Sequence, residues 1–443
     1  MNSHRYHIIQ FVCIMVVLSA IMLQGFTHVV KIRPLEGVVA KEEPVSLTFG
    51  TYYDGSYQNY LTDHAKCNTG FREFFIRNYN QICYSCFNKL TNVNVVIGKD
   101  GELFTQMYID EITGKRIKDY YITIDSAKAV ARQNVEETLR LMDTLQSHDT
   151  HFLFVFAPSK TSVYPEYLPQ PYCDQLSDFS LEDYYVELFK ENNIPHIDFN
   201  TYFKSIKDSF PYPLYSKYGT HWAFSTIPMV TDSILRMMEA ISGKKLPSIE
   251  VTDINITTDY FSQDRELEGQ FNLMFPISKP AIPNPVFTLS DTLGTAKPKL
   301  LAIADSYFVA FERTRFLEAF NSWDYWKYNE YDISSNPKYN WKEIEYLPEA
   351  YQILEDADIV MAISTAPMLY DYLFGFTKTA FHLFTHGQLC EEDEIEMMMK
   401  AIRNNPAWYD AVIKQAKERG LTTEENLRLN AIYTIQSKEN SNS

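Results

Sequence analysis

Two side chains in this 443-residue chain have the chemistry of acyl transfer: His221, in "SKYGTHWAF" (216–224), and Ser306, in "LLAIADSYF" (300–308). A serine hydroxyl is a weak nucleophile until a neighbouring imidazole takes its proton. Ser306 follows an apolar run and precedes a helical stretch, 307–320, so it is expected at a strand-to-helix elbow, where its own N–H and that of Tyr307 would hold an oxyanion. Taken singly, a serine at a strand end is a helix cap and a histidine in a loop is solvated, so the pair means something only if the fold joins them. Asp305 is next to the serine, but adjacent side chains diverge, and bracing the elbow is its simplest role, with a direct catalytic part as the alternative. Lys160 follows an apolar strand and is a candidate to reach the pocket or to remain in solvent. Trp222 is either a sugar platform beside His221 or packing beneath the loop. "WDYWKYN" (323–329) offers Trp323, Trp326 and Tyr328 for stacking on a glycan, or as a cover for the sheet edge.

The elements that must position these residues alternate along the chain. "HFLFVFA" (151–157), "HIDF" (196–199), "KLLAIA" (299–304) and "ADIVMAIST" (357–365) read as strands, with helices over 180–193, 227–241 and 307–320. Continuous apolar strands separated by helices predict a parallel sheet covered on both faces, an α/β doubly wound, three-layer fold. Ligands of such sheets bind outside the carboxyl ends of the strands, the end at which Ser306 is expected.

Before this core, "VNVVIGKDGELF" predicts a hairpin at Asp100-Gly101, and 57–90 reads as two amphipathic helices whose apolar side is Phe75, Tyr79, Ile82 and Phe87. A further helix is expected from Ser126, with Ala131, Val135, Leu139, Met142 and Leu145 at helical spacing. Residues 245–298 show no helical period and read as a loop-rich excursion. The tail after Glu391 predicts three short helices, with Pro406 in a first turn, Gly420 as a C-cap, and Thr422 with Glu425 as a capping box. The resulting division is 1–30 membrane anchor or signal peptide, 31–55 spacer, 56–385 α/β domain, and 386–443 helical tail.

Ile8 to Phe26 is a nearly unbroken apolar run of roughly bilayer-spanning length, and no small-x-small cleavage site follows it, so an uncleaved anchor is expected. A net charge of −17, with pI near 5.1, argues against nucleic-acid binding, which runs on clustered Lys and Arg. Of six cysteines, Cys83 and Cys86 have CxxC spacing but no second pair accompanies them, so no metal, no cofactor and no disulfide framework is expected.

Four stretches carry a resemblance: "VVIGKDGELF", "FAPSKTSVYPEYLP", "GTHW" and "IADSY". In this order, from about residue 56 to 376, they resemble the SGNH-type family of AlgJ- and AlgX-like polysaccharide O-acetyltransferases. The resemblance implies an SGNH-like fold and an inner-membrane, single-pass anchor with the main domain in the periplasm. It also implies a glycan substrate and a multi-pass membrane acyltransferase as partner. Ser306 would carry the acetyl group, and His221 would deprotonate first the serine and then a sugar hydroxyl. One departure is consequential: the family's acid stands two residues before the histidine, where this chain has Gly219, and Tyr218 occupies the ordinary SGNH position three before. Either another acid substitutes, a Ser-His dyad works slowly, or the site does not catalyse. The corresponding alternatives are a glycan-binding or scaffold subunit of an acyltransferase system, and a carbohydrate acetylesterase that uses water as acceptor.

Overall fold

Side chains along the three central strands point alternately to two sides, and both sides are apolar. Leu153, Val155, Ala157, Ala302, Met361 and Ile363 enter one core, while Phe154, Phe156, Leu301, Ile303, Val360 and Ala362 enter another. A sheet of this composition has no face for water and must be covered twice. The computed structural model of the protein, which describes residues 3–36, 44–91, 94–290, 293–312, 314–329, 344, 349–386 and 391–441, shows this arrangement.

In chain order the main elements are α1 (Ser3–Thr27), α2 (Ser56–Cys67), α3 (Arg72–Phe87), β1 (Val95–Ile97), β2 (Leu103–Thr105), α4 (Ile124–Ser147), β3 (His151–Ala157), α5 (Leu181–Glu191), β4 (His196–Asp198), α6 (Ile227–Ser242), β5 (Ser248–Thr257), α7 (Glu266–Gly269), β6 (Ile282–Ser290), β7 (Lys299–Ala304), β8 (Ser322–Lys327), β9 (Ile359–Thr365) and α8 (Phe376–His386). The tail adds α9 (Glu391–Asn404), α10 (Pro406–Arg419) and α11 (Thr423–Ser441). Five strands form one sheet in the order β4-β3-β9-β7-β8, and every neighbouring pair is parallel. Helix α6 covers the first core through Ile227, Val230, Ile234 and Met238. Helices α4, α5 and α8 cover the second through residues such as Val135, Leu145, Tyr185, Phe189 and Phe376. This is the doubly wound α/β fold that the sequence predicts.

The smaller elements follow local chemistry. Strands β1 and β2 pair antiparallel around Asp100 and Gly101, both at positive φ (55° and 73°). The tail helices pack on one another through Ile395, Met398, Ile402, Val412, Leu427 and Ala431. Helix α1 is apolar enough and long enough, over Arg5–Thr27, to cross a membrane.

Two expectations need correction, and one helix turns its apolar side where the sequence does not specify. Residues 245–298 are not chiefly loop: β5 and β6 form an antiparallel ribbon, with a register shift between Val251 and Asp253. Pro283 and Pro285 obscure it in the sequence, because proline cannot donate to a ladder, and only a two-stranded edge tolerates it. The stretch after Ser306 is not one helix but short turns, Ser306–Phe308, Val309–Glu312 and Arg315–Ala319. Finally, the apolar face of α3 does not pack on the body: Phe75, Tyr79, Ile82 and Phe87 are exposed, while Arg77 and Asn80 are buried.

Candidate active site

The His221 loop is built from its buried tryptophan outward. Trp222 is fully buried, 5.0 Å from the Tyr307 ring and 5.5 Å from the Phe311 ring, and the loop closes on itself through Ala223 N–H to Leu214 C=O at 2.9 Å. The Tyr307 hydroxyl donates to the Thr220 carbonyl at 2.8 Å. Lys160, buried, donates from Nζ to the carbonyls of Ser216 at 2.7 Å, Lys217 at 3.1 Å and Gly219 at 3.3 Å, and pairs with Glu102 Oε2 at 2.9 Å. Burial lowers the ammonium's pKa, and Glu102 opposes that shift. Backbone carbonyls that would otherwise face a protein interior are thus satisfied by one cation, and the loop has one shape.

That shape brings His221 Nε2 within 2.8 Å of Ser306 Oγ, although the two residues are 85 positions apart. The imidazole's other nitrogen, Nδ1, is 2.9 Å from Glu266 Oε1. With Nδ1–H donating to the carboxylate, Nε2 is the acceptor that the Ser306 hydroxyl requires. The same Glu266 oxygen accepts the Thr220 N–H at 2.6 Å and the His221 N–H at 3.3 Å. Glu266 opens α7, between the two strands of the β5–β6 ribbon, and Leu267 N–H bonds the Tyr218 carbonyl at 3.1 Å, which seats α7 on the histidine loop.

Glu266 is the acid missing from the position two residues before the histidine, and Gly219 is what lets it arrive. A Cβ at position 219 would lie 2.3 Å from the Gln263 carbonyl oxygen and 3.1 Å from Glu266 Oε2. Any side chain there would displace the segment that brings the carboxylate. Nothing in "QDRELEG" distinguishes Glu266 from Asp264 or Glu268 before the fold is known, so sequence reasoning missed it.

The other candidates sort by geometry. Asp305 is not the third member: buried, it accepts the Tyr307 N–H at 3.0 Å through one oxygen, and the Thr365 N–H and hydroxyl at 2.9 and 3.0 Å through the other. It ties the elbow to β9, as the bracing alternative held, and burial raises its pKa against those bonds. The Tyr307 N–H is therefore occupied and is not an oxyanion donor, which corrects that expectation; the residue acts through its ring and hydroxyl. Lys160 holds the loop from behind and is neither in the pocket nor in solvent. Trp222 and Trp326 are buried, Trp326 against Phe376 at 6.0 Å, so neither can stack on a sugar. Trp323 is exposed on β8. Tyr328 does reach the site: with Met107, Thr220 and Met368 it lines a cleft of about 210 Å³ onto which His221, Glu266 and Ser306 open. Among the described residues no group of three His, Cys, Asp or Glu side chains is placed to hold a metal.

A nucleophile, a base and a carboxylate that orients the base, in one line at the carboxyl end of β7, form the constellation of Ser-His-acid hydrolases and acyltransferases. Residues 95–272 match the family model of the SGNH hydrolase-like domain, acetyltransferase AlgX; this segment includes Lys160, His221 and Glu266, and Ser306 lies beyond it. No curated protein matches the chain. Among solved structures, the O-acetyltransferase domain of Pseudomonas putida AlgJ aligns at 15% identity and a TM-score of 0.39, covering 65% of this chain and 99% of that one. Pseudomonas aeruginosa AlgX aligns at 13% identity and a TM-score of 0.40, covering 64% and 67%. Bacillus cereus PatB1 with a sulfonyl adduct aligns at 9% identity and 0.37, covering 56% and 93%. Over residues 95–272 the chain is thus similar to the SGNH hydrolase-like domain of the acetyltransferase AlgX.

Proposed function

We propose that the protein is an anchored, extracytoplasmic O-acetyltransferase that moves an acetyl group onto a polysaccharide hydroxyl by way of Ser306. One observation carries this reading: the unbroken contact chain from Ser306 Oγ through the His221 ring to Glu266, at 2.8 and 2.9 Å. The family match supports the acetyltransferase class.

In the first half-reaction Ser306 Oγ attacks the carbonyl carbon of an acetyl donor while His221 Nε2 takes the hydroxyl proton. The tetrahedral oxyanion is held at the elbow, where the Ser306 N–H is the donor left once Asp305 has taken that of Tyr307. Collapse breaks the bond to the leaving group, which receives the proton from His221, and leaves acetyl-serine. In the second half a sugar hydroxyl gives its proton to His221 and attacks the acetyl carbon; Ser306 leaves as the alcohol with that proton. Glu266 keeps its charge throughout and stabilises the imidazolium of each step.

In this reading α1 anchors the chain in the inner membrane, the main domain lies in the periplasm, and a multi-pass membrane acyltransferase supplies the acetyl group. The non-catalytic scaffold reading rested on Gly219, and Glu266 removes that ground. The test is turnover of an acetyl ester in the presence of an oligosaccharide acceptor. Acetylated oligosaccharide from the wild type and none from Ser306→Ala is expected. Free acetate as the sole product would make the protein an esterase, and equal turnover by Ser306→Ala would end the proposal.

A further inference from the structure

We propose that α3 lies in the interfacial layer of the bilayer, with Phe75, Tyr79 and Ile82 turned toward lipid, and that from there it braces the loop bearing Glu266. This rests on α1 being a membrane span.

The first ground is that α3 is amphipathic in the reverse sense. Phe75, Tyr79, Ile82 and Cys86 share one helical face, and Phe75, Tyr79 and Ile82 are 48%, 62% and 55% exposed, while the buried residues of the helix are Arg77 and Asn80. A helix on a globular body turns its apolar stripe inward. A continuous apolar face left outward marks a surface with a partner.

The second ground is depth. The 23-residue span Arg5–Thr27 would be about 34 Å long, a little more than the ~30 Å hydrocarbon layer. Gly70, just before α3, sits against its last turns: a Cβ on Gly70 would meet the Ile21 carbonyl oxygen at 2.0 Å and Gly25 N at 2.7 Å, and one on Gly25 would meet the Asn68 carbonyl oxygen at 2.7 Å. Gly25 and Ile21 are roughly 3 and 9 Å from the end of the span at a rise of ~1.5 Å per residue, so α3 starts in the boundary layer just inside the level where the span leaves hydrocarbon. Apolar and tyrosine side chains at that level are those of an interfacial helix.

The third ground is the buried polar face, which is tied to the active-site segment. Arg77 donates to the Pro34 carbonyl at 2.6 Å and to Asn272 Oδ1 at 3.2 Å, and Asn80 donates to the Phe271 carbonyl at 2.8 Å. Glu36 N–H reaches Asn272 at 2.8 Å, and the Glu36 carboxylate reaches Arg265, beside Glu266, at 3.1 Å. The helix that meets the membrane therefore holds one end of the short stretch that supplies the acid directly, at Phe271 and Asn272, and the other end, at Arg265, through the 34–36 segment that Arg77 also binds.

The experiment uses the full chain, its native cysteines replaced by alanine, reconstituted in phosphatidylcholine vesicles. The environment-sensitive fluorophore NBD is attached at Tyr79→Cys, at Phe75→Cys as an independent second site, and at Glu136→Cys, exposed on the outer side of α4, as the aqueous control. The chain is expected to float with the vesicles, with labels at 79 and 75 quenched by doxyl-labelled lipid and protected from iodide, and the label at 136 the reverse. Failure to float overturns the anchor reading and this proposal with it. Flotation with iodide quenching at 79 and 75 equal to that at 136 overturns this proposal alone, as does protection from both quenchers, which would mean a protein partner or second copy covers α3.

Discussion

Glu266 Oε1 stands 2.9 Å from His221 Nδ1, carried there by a ribbon excursion 45 positions further along the chain. The carboxylate that the histidine needs is thus supplied from a different element than the one that holds the histidine. Replacing it by an amide keeps the shape and removes the charge that favours the correct tautomer. Glu266→Gln is expected to lower kcat for an acetyl ester about ten-thousand-fold, the size known for removing a triad acid, with the circular dichroism unchanged. A change within a few-fold would show that the contact is structural.

Gly219 is required for space rather than for backbone freedom. Gly219→Ala forces the Gln263–Glu266 segment outward, because its Cβ would stand 2.3 Å from the Gln263 oxygen. The expected result is a loss of kcat of at least tenfold with little change in KM. For the same reason Gly219→Asp does not rescue Glu266→Gln, although it restores an acid two residues before the histidine. Rescue, measured by ester turnover of the double variant, would show that the relocation is not steric.

Lys160 is a positioning residue. Lys160→Met leaves the carbonyls of Ser216, Lys217 and Gly219 without their donor and Glu102 without its partner. A stability loss of roughly 2–5 kcal/mol in urea unfolding is expected. The turnover of the folded fraction should fall through kcat, because the histidine loop loses its shape.

Asp264 gives the folded chain a pH dependence. Its carboxyl is pushed up to about 7, first by burial and then by the nearby Glu266, while the Phe224 N–H bond opposes the shift. As pH rises from about 4 to about 7 the unfolded chain gives up this proton and the folded chain keeps it, so stability falls across that window. Asp264→Asn removes the titration. Unfolding of the two proteins at pH 4.5 and 8 should show the wild type losing as much as about 3 kcal/mol relative to the variant. A constant difference at both pH values would contradict the assignment.

The legible parts of the molecule were those whose physics is local. The apolar strands, the Asp100-Gly101 turn, and the tail signals at Pro406, Gly420 and Thr422 stand in the structure as their residue types dictate. Ser306 and His221 were legible because each falls in one of the four ordered stretches that carry the family resemblance, where a strand-end serine or a loop histidine alone says little. Glu266 was not, since an acid acquires its role only when a ribbon of distant residues is folded over the sheet. Trp222 and Trp326 stayed open between two roles for the opposite reason: an indole serves a core and a sugar site equally well, and burial decides for packing. The outward apolar face of α3 reads in sequence like any amphipathic helix, because periodicity gives a face but not its direction.

The most direct measurement is mass spectrometry of the protein after rapid quenching from an acetyl-ester donor, with the peptide containing Ser306 followed. One acetyl group on Ser306 in the wild type, strongly diminished in Glu266→Gln and absent in His221→Ala, is the predicted result. An unlabelled Ser306 in the wild type during active turnover, or a label that accumulates equally in all three proteins, would contradict it.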